Sequence, residues 1–336
     1  MPVATDSYDS STAWMQRDSY GYGRNPPNPN WPNGAKVAVN FVLNYEEGGE
    51  RTIEDGDAGP ETALHEFKGL EQPAGRRDPT VESQFDYGSR VGIWRILDLM
   101  ESNNIPITFY AVARAFERNR EVAKAACENG HEVASHCFKW QPHADMAPEE
   151  EEQWIRKAVE SFKKTTGKVP VGWYYGRPSA QSPALVEKVY KELGHEFLYW
   201  AGTSRSHNYA DDLPHWTVRP GDDPEKGLLI MPYSLDNNDF KLWHSQYGST
   251  KLWAEHCVDS VKTIRDEAIA GKRHGYVTIA LHTRWVGRPG RFAALKKMVE
   301  EIVGLGDVWF ATREDIARHF AQQYPYGSLP KSKSTA

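Results

Sequence analysis

From residue 36 to residue 310 short apolar runs alternate with longer amphipathic stretches, and that alternation leaves few folds open to the chain. The runs 36–43, 107–112, 131–135, 169–174, 227–233, 276–281 and 308–310 read as strands. The stretches 87–102, 114–129, 148–166, 183–193, 253–270 and 292–303 carry helical spacing, with Val91, Ile93, Trp94, Leu97 and Leu99 marking one face of the first. Acidic residues open the 148–166 stretch, which suits a helix N-terminus. Regular strand–helix alternation predicts an α/β fold with a parallel sheet, open or closed into a barrel. In such folds functional side chains gather at the C-terminal ends of strands. Glu46, Glu47, His136, Arg177 and His282 all stand just after apolar runs.

The remaining composition narrows the class. The chain has 336 residues, 39% hydrophobic and 26% charged, an ordinary soluble balance. A formal charge of -6 gives neither nucleic acid nor an anionic membrane an electrostatic reason to bind. Three cysteines cannot form a disulfide framework. The N-terminus lacks the basic and apolar regions of a signal peptide. No apolar run approaches the about 20 residues that span a bilayer. The expectation is a cytoplasmic enzyme with a small-molecule substrate. Residues 1–24 read as a polar arm, 25–325 as one catalytic domain opened by a proline-rich entry, and 326–336 as a tail.

Adjacent carboxylates at a strand end cannot both face water, because a strand alternates faces. Whichever of Glu46 and Glu47 points inward must be paired or shifted in pKa, and either outcome suits a general base. His282 follows a five-residue apolar run and is placed to protonate a leaving nitrogen. Arg284, Arg288 and Arg291 follow it and suit recognition of a carbonyl or carboxylate. His136 reads equally as structural or catalytic. Cys137 reads as a small packing residue. His143 lies seven residues beyond His136, and nothing requires it to reach back as a ligand.

Val42-Leu43-Asn44-Tyr45-Glu46-Glu47-Gly48 and Ser135-His136-Cys137-Phe138-Lys139-Trp140 resemble two motifs of the polysaccharide deacetylase superfamily. There, an Asp-Asp pair and a His-Ser/Thr-x-x-His run supply a base and a divalent-metal site. Here glutamates replace both aspartates, and Trp140 stands at the second histidine position. Further blocks at 87–95, 172–177, 211–216, 232–239 and 282–291 make the chain similar to the metal-independent allantoinase branch. That resemblance implies a deacetylase-type distorted (β/α) barrel, amide C–N hydrolysis and a homo-oligomer, dimer or tetramer.

By the same resemblance Glu46 is the base, Arg177 the arginine that orients or ion-pairs it, and His282 the acid. Glu47, His136 and Trp140 would line the former metal site and the substrate edge. Arg284, or backbone N–H groups near Tyr45, would answer the oxyanion, while Asp212, Arg288 and Trp200 would contact substrate. No cofactor is implied, with a weak divalent metal at Glu47 and His136 left open. Residues 200–208 depart from the branch by being neutral to basic, which weakens allantoin itself and admits another cyclic amide or imide. Two other classes stay open: a metal-dependent carbohydrate N-deacetylase, and a binding protein that has lost catalysis.

Overall fold

The computed structural model describes residues 19–67, 75–201, 211–218, 226–243 and 248–329. Its frame is β1 (Val37–Tyr45), buried along its whole length. β1 pairs in parallel with β2 (Ile107–Ala111) over Phe41–Tyr45 and with β8 (Tyr276–His282) over Ala38–Asn44. A short β9 (Val308–Phe310) pairs with Val37–Val39, ahead of where β2 begins. Beyond β2 follow β3 (Glu132–Ser135), β4 (Gly172–Tyr174), β5 (Tyr199–Ala201) and β7 (Gly227–Ile230), all parallel. The antiparallel β6 (His215–Val218) lies at the far edge.

No strand pairing joins β7 to β8 among the described residues. The connector after β7 fills that seam, with an isolated bridge between Asn238 and Ala280 and an Ala280 N–H bond to the Asn237 carbonyl at 3.2 Å. The result is one α/β domain built as a distorted barrel, as the sequence implies. No helix among the described residues is long and apolar enough to cross a membrane.

Strand alternation sorts the residues of β1. Val37, Val39, Phe41, Leu43 and Tyr45 face the helical layer. Ala38 and Val42 belong to the concave cluster, where Asn40 and Asn44 are also engaged. The same count places Glu46 inward at the mouth. The opposite end is plugged by Arg313, the first residue of α10 (Arg313–Gln323). Its buried guanidinium donates to Thr278 Oγ1 at 2.8 Å and to the Met231 carbonyl at 2.6 Å. It lies 5.7–5.9 Å from the rings of Tyr110, Tyr199, Tyr233 and Tyr276. The lumen around Arg313 is therefore filled by tyrosine rings.

Several elements differ from the sequence expectation. The helix expected from residue 87 begins as α1 (Pro79–Tyr87), where Asp78 caps Thr80 and Val81 and Pro79 occupies the first turn. It passes through a π-turn at Gly88–Gly92 into α2 (Ile93–Ser102). The expected 114–129 helix breaks at Asn119 into α3 (Ala113–Arg118) and α4 (Arg120–Ala125), with the Asn119 side chain capping Val122. β5, β6 and α10 were not anticipated; the two strands are three and four residues long, and β6 is only half-buried. α10 is announced by a Thr312/Asp315 capping box. The remaining helices, α5 (Pro148–Thr166), α6 (Ser182–Leu193), α7 (Thr250–Ile269), the short α8 (Thr283–Val286) and α9 (Pro289–Val303), cover the expected stretches or their junctions.

Candidate active site

Three parallel strands deliver their next residues to one point. Glu46 follows β1, His136 follows β3, and His282 ends β8. Glu46 Oε1 lies 3.4 Å from His136 Nε2 and 3.6 Å from His282 Nε2. Its other oxygen accepts from Arg284 at 2.6 Å. Arg284 is fully buried; it also reaches Glu47 Oε1 at 3.2 Å and donates its Nε–H to the Leu64 carbonyl at 3.1 Å. Glu47 accepts the Glu46 N–H at 3.1 Å.

Close approach of the α1–α2 connection makes this packing possible. A Cβ on Gly88 would stand 2.7 Å from Glu47 Oε1, and one on Gly92 would stand 2.2 Å from the Thr283 carbonyl oxygen. Glycine at both positions lets the π-turn back directly onto the ionic cluster. Cys137 holds a left-handed backbone, φ 66°, immediately after His136. That turn sends the chain back across the site, so that Trp140 covers it.

The electrostatics separate the two catalytic candidates. Burial would raise the Glu46 pKa, but Arg284 and His282 outweigh it and hold the carboxyl well below the usual range. Burial would lower His282, yet the Asp239 and Glu46 carboxylates push it up to about 9. The pair rests as carboxylate and imidazolium. Asp239 was not anticipated as a site residue. It accepts the His282 N–H at 2.8 Å and faces its Nδ1 at 2.6 Å. The signal lay in a histidine that needs an orienting acid and in a conspicuous Asn237-Asn238-Asp239 run.

The mouth is covered by the segment 51–65. Asp55 pairs with Arg114 and Arg118, Asp57 with Lys139 at 2.6 Å, and the fully buried Glu61 with Arg51 and Arg177, each at 3.3 Å. Glu61 is a second residue the sequence did not single out. Arg177, expected on Glu46, instead bonds Glu61 and lies 4.1 Å over the Trp140 ring. The ion pair on Glu46 belongs to Arg284, because Arg284 projects from the turn directly after His282.

Other expected residues fall elsewhere. The Tyr45 side chain follows the outward parity, bonds Ser89 Oγ at 2.8 Å and packs on Phe116. Trp200 is buried in the helical layer against Tyr175 and Phe197, since the inward position of β5 is Tyr199. Residues 202–208 lie outside the described residues. Asp212 sits at the start of β8, its carbonyl taking the Tyr276 N–H, about 20 Å from His282 at roughly 3.3 Å per strand residue. Arg288 lies on the Tyr87 ring at 3.9 Å, away from the cluster. His143 Nδ1 is 3.4 Å from Glu151, and Cys137 Sγ accepts from Tyr175 at 2.8 Å.

Residues 74–198 match the polysaccharide deacetylase family. A Schizosaccharomyces pombe protein described as a polysaccharide deacetylase is 39% identical over 321 residues, covering 92% of this chain and 98% of its own. The chain is a member of the polysaccharide deacetylase family. A crystal structure of a Pseudomonas aeruginosa protein, likewise described as a polysaccharide deacetylase, superposes with a TM-score of 0.83 at 38% identity, covering 92% of this chain and 99% of that one. The crystal structure of PuuE allantoinase gives the same TM-score and identity, covering 92% and 98%. Family membership places this polysaccharide deacetylase relative among hydrolases of carbon–nitrogen bonds other than peptide bonds.

The metal that the superfamily motif implies does not fit this donor set. A catalytic zinc needs three protein donors and an open position. Arg284 engages both carboxylates, Glu46 and Glu47. The indole at Trp140 offers only an N–H donor. Among the described residues no group of three His, Cys, Asp or Glu side chains is arranged to hold an ion. What stands beside Glu46 is a guanidinium.

Proposed function

We propose that this chain hydrolyses the ring amide of a small cyclic amide, with allantoin as the first substrate to test, and does so without a metal. The arrangement of Glu46 between His282 and Arg284 carries this reading: a carboxylate base, a cationic acid and a fixed positive charge share one buried point. Glu46 takes a proton from water as the water oxygen bonds to the carbonyl carbon. Arg284 offsets the negative charge in the centre, where fixed donors count for most in a dry site. The C–N bond breaks as His282 Nε2 gives its proton to the leaving nitrogen. A return proton transfer from Glu46 to His282, 3.6 Å away, resets the pair.

Two further observations support a small substrate. Glu46, His136, Trp140, His282 and Arg284 are each at most 4% exposed, which suits an enclosed ligand better than a polymer lying in an open groove. The PuuE allantoinase structure matches almost the entire length of the chain. Trp200, the first residue of the departing 200–208 segment, turns into the helical layer and so does not stand at the mouth.

A substrate panel tests the reading: allantoin, hydantoins, cyclic imides and chitooligosaccharides, each with and without chelator. Ring opening of a cyclic amide that survives chelation is the expected result. Turnover restricted to chitooligosaccharides and abolished by chelation would overturn both the substrate class and the metal-free chemistry.

A further inference from the structure

A cleft of about 910 Å³ lies outside the barrel, between α1 and the first turns of α7 and α9. None of the residues around Glu46 lines it. The 20-residue α7 and the 15-residue α9 both begin at its wall. A helix N-terminus carries roughly half a positive charge and leaves its first N–H groups unbonded within the helix. Ser249 caps α7 through Leu252 alone, and α9 has no side-chain cap.

The side chains add to this charge instead of offsetting it. Neither first turn contains an acidic residue. Lys251 stands in the first turn of α7, Arg288 at the N-cap of α9, and Arg291 in its first turn. Lys297 lines the same cleft two turns on. Cations at a helix N-terminus are destabilising by themselves. One carboxylate compensates, Glu66, which pairs with Arg291 at 2.5 Å. Lys251, Arg288 and Lys297 have no ion-pair partner among the described residues.

Two donors buried behind the wall lack acceptors. Arg288 Nε is buried without a hydrogen-bond partner. Gln84, only 2% exposed, uses its Oε1 to accept from Glu66 N–H at 2.9 Å while its Nε2 has no acceptor. Two helix ends and three cations without ion-pair partners among the described residues line one cavity, with the two orphaned donors buried behind its wall.

We propose that this cleft binds a small organic molecule through a phosphate or carboxylate group seated between the N-termini of α7 and α9. A bare oxyanion fills only a fraction of the volume, and Phe67 and Ala294 give an apolar wall for the remainder of the ligand. The site is separate from the hydrolytic centre and does not depend on the reaction assigned there.

Thermal unfolding and calorimetric titration of the full chain test this, with inorganic phosphate and citrate as probes and sodium chloride at matched ionic strength as control. A concentration-dependent rise in Tm with either probe beyond the chloride control is the expected result, since a ligand of the folded state stabilises it by mass action. Phosphate alone acting points to a phosphorylated ligand, citrate alone to a polycarboxylate. Lys251→Ala should weaken binding about tenfold, the size of one lost charge-assisted contact. Lys251→Glu should raise Tm without any anion, because a carboxylate then complements the α7 terminus, and should abolish the anion-induced shift. An unchanged shift in Lys251→Glu, or no shift with either probe, overturns the proposal. So does a change of oligomeric mass in that variant with no anion binding in wild type, which would make the basic cleft an interface between copies.

Discussion

Asp239 grips His282 at two points, accepting from its backbone N–H at 2.8 Å and facing its ring Nδ1 at 2.6 Å. The first contact fixes the end of β8. The second fixes the ring, leaving Nε2 directed at Glu46. One carboxylate thus sets both where His282 stands and how tightly it holds its proton.

Asp239→Asn keeps the shape and removes the charge that raises His282. The imidazolium should then lose its proton at lower pH, so the alkaline limb of the kcat/KM profile should move down from about 9 toward the ordinary histidine range. Glu46→Gln and His282→Ala should each reduce turnover by roughly 100-fold or more, the scale of a general acid–base residue. An alkaline limb that stays in place in Asp239→Asn would remove Asp239 from this role.

The two arginines should separate in kinetics and in stability. Arg284→Met strands two buried carboxylates, and breaking such a pair costs about 3–5 kcal/mol, so both folding and turnover should suffer. Arg177→Ala leaves Glu46 paired. Its loss should raise KM, by disturbing Glu61 and Trp140 at the mouth, while the acidic limb of the pH–rate profile stays put. Movement of that limb in Arg177→Ala would return the pairing with Glu46 to Arg177.

Stability should follow pH with a definite sign. The folded His282 binds its proton more tightly than the unfolded side chain, about 9 against 6.5. Its contribution is therefore complete below about pH 6.5 and disappears as pH rises through 9. Glu46 acts in the opposite sense: its depressed pKa contributes above the usual carboxylate range and is lost only as pH falls well below 4.5. The Tm difference between wild type and His282→Gln should shrink steadily between pH 6.5 and 10. A difference that is flat across this range would contradict the assignment.

Metal analysis gives a fourth check. The purified protein should hold well under one equivalent of zinc or another transition metal, and chelation should leave turnover intact. Trp140→His should bind metal poorly, because Arg284 still occupies both carboxylates. One tightly held metal per chain, with activity lost on its removal, would reverse this.

The long periodic elements were legible because burial imposes a period on sequence. The runs 36–43, 107–112, 131–135 and 276–281 pointed to the sheet, and the strand-end rule then placed Glu46, His136 and His282 at one mouth. β5 was hidden because its residues run into the segment read as departing from the branch, and β6 because it is half-buried and lacks an apolar run. Partner choice was hidden too. Nothing local distinguishes Arg177 from Arg284 as the cation on Glu46; that depends on where the β4 and β8 turns end in space. Trp200 was misplaced by reading a loop where a strand of three residues fixes the facing. Asp239 was missed because its role arises across the β7–β8 seam, 43 residues from the histidine it holds.

That seam has a consequence for how the family can change. The connector that crosses it carries Asp239, and among the described residues its ladder pairing with β8 is the isolated bridge from Asn238 to Ala280. Insertions or substitutions between β7 and the Asn238 bridge can move Asp239 relative to His282 without shifting any strand register. The working pH of such an enzyme is thus adjustable through this connector while the strand registers of the barrel stay in place.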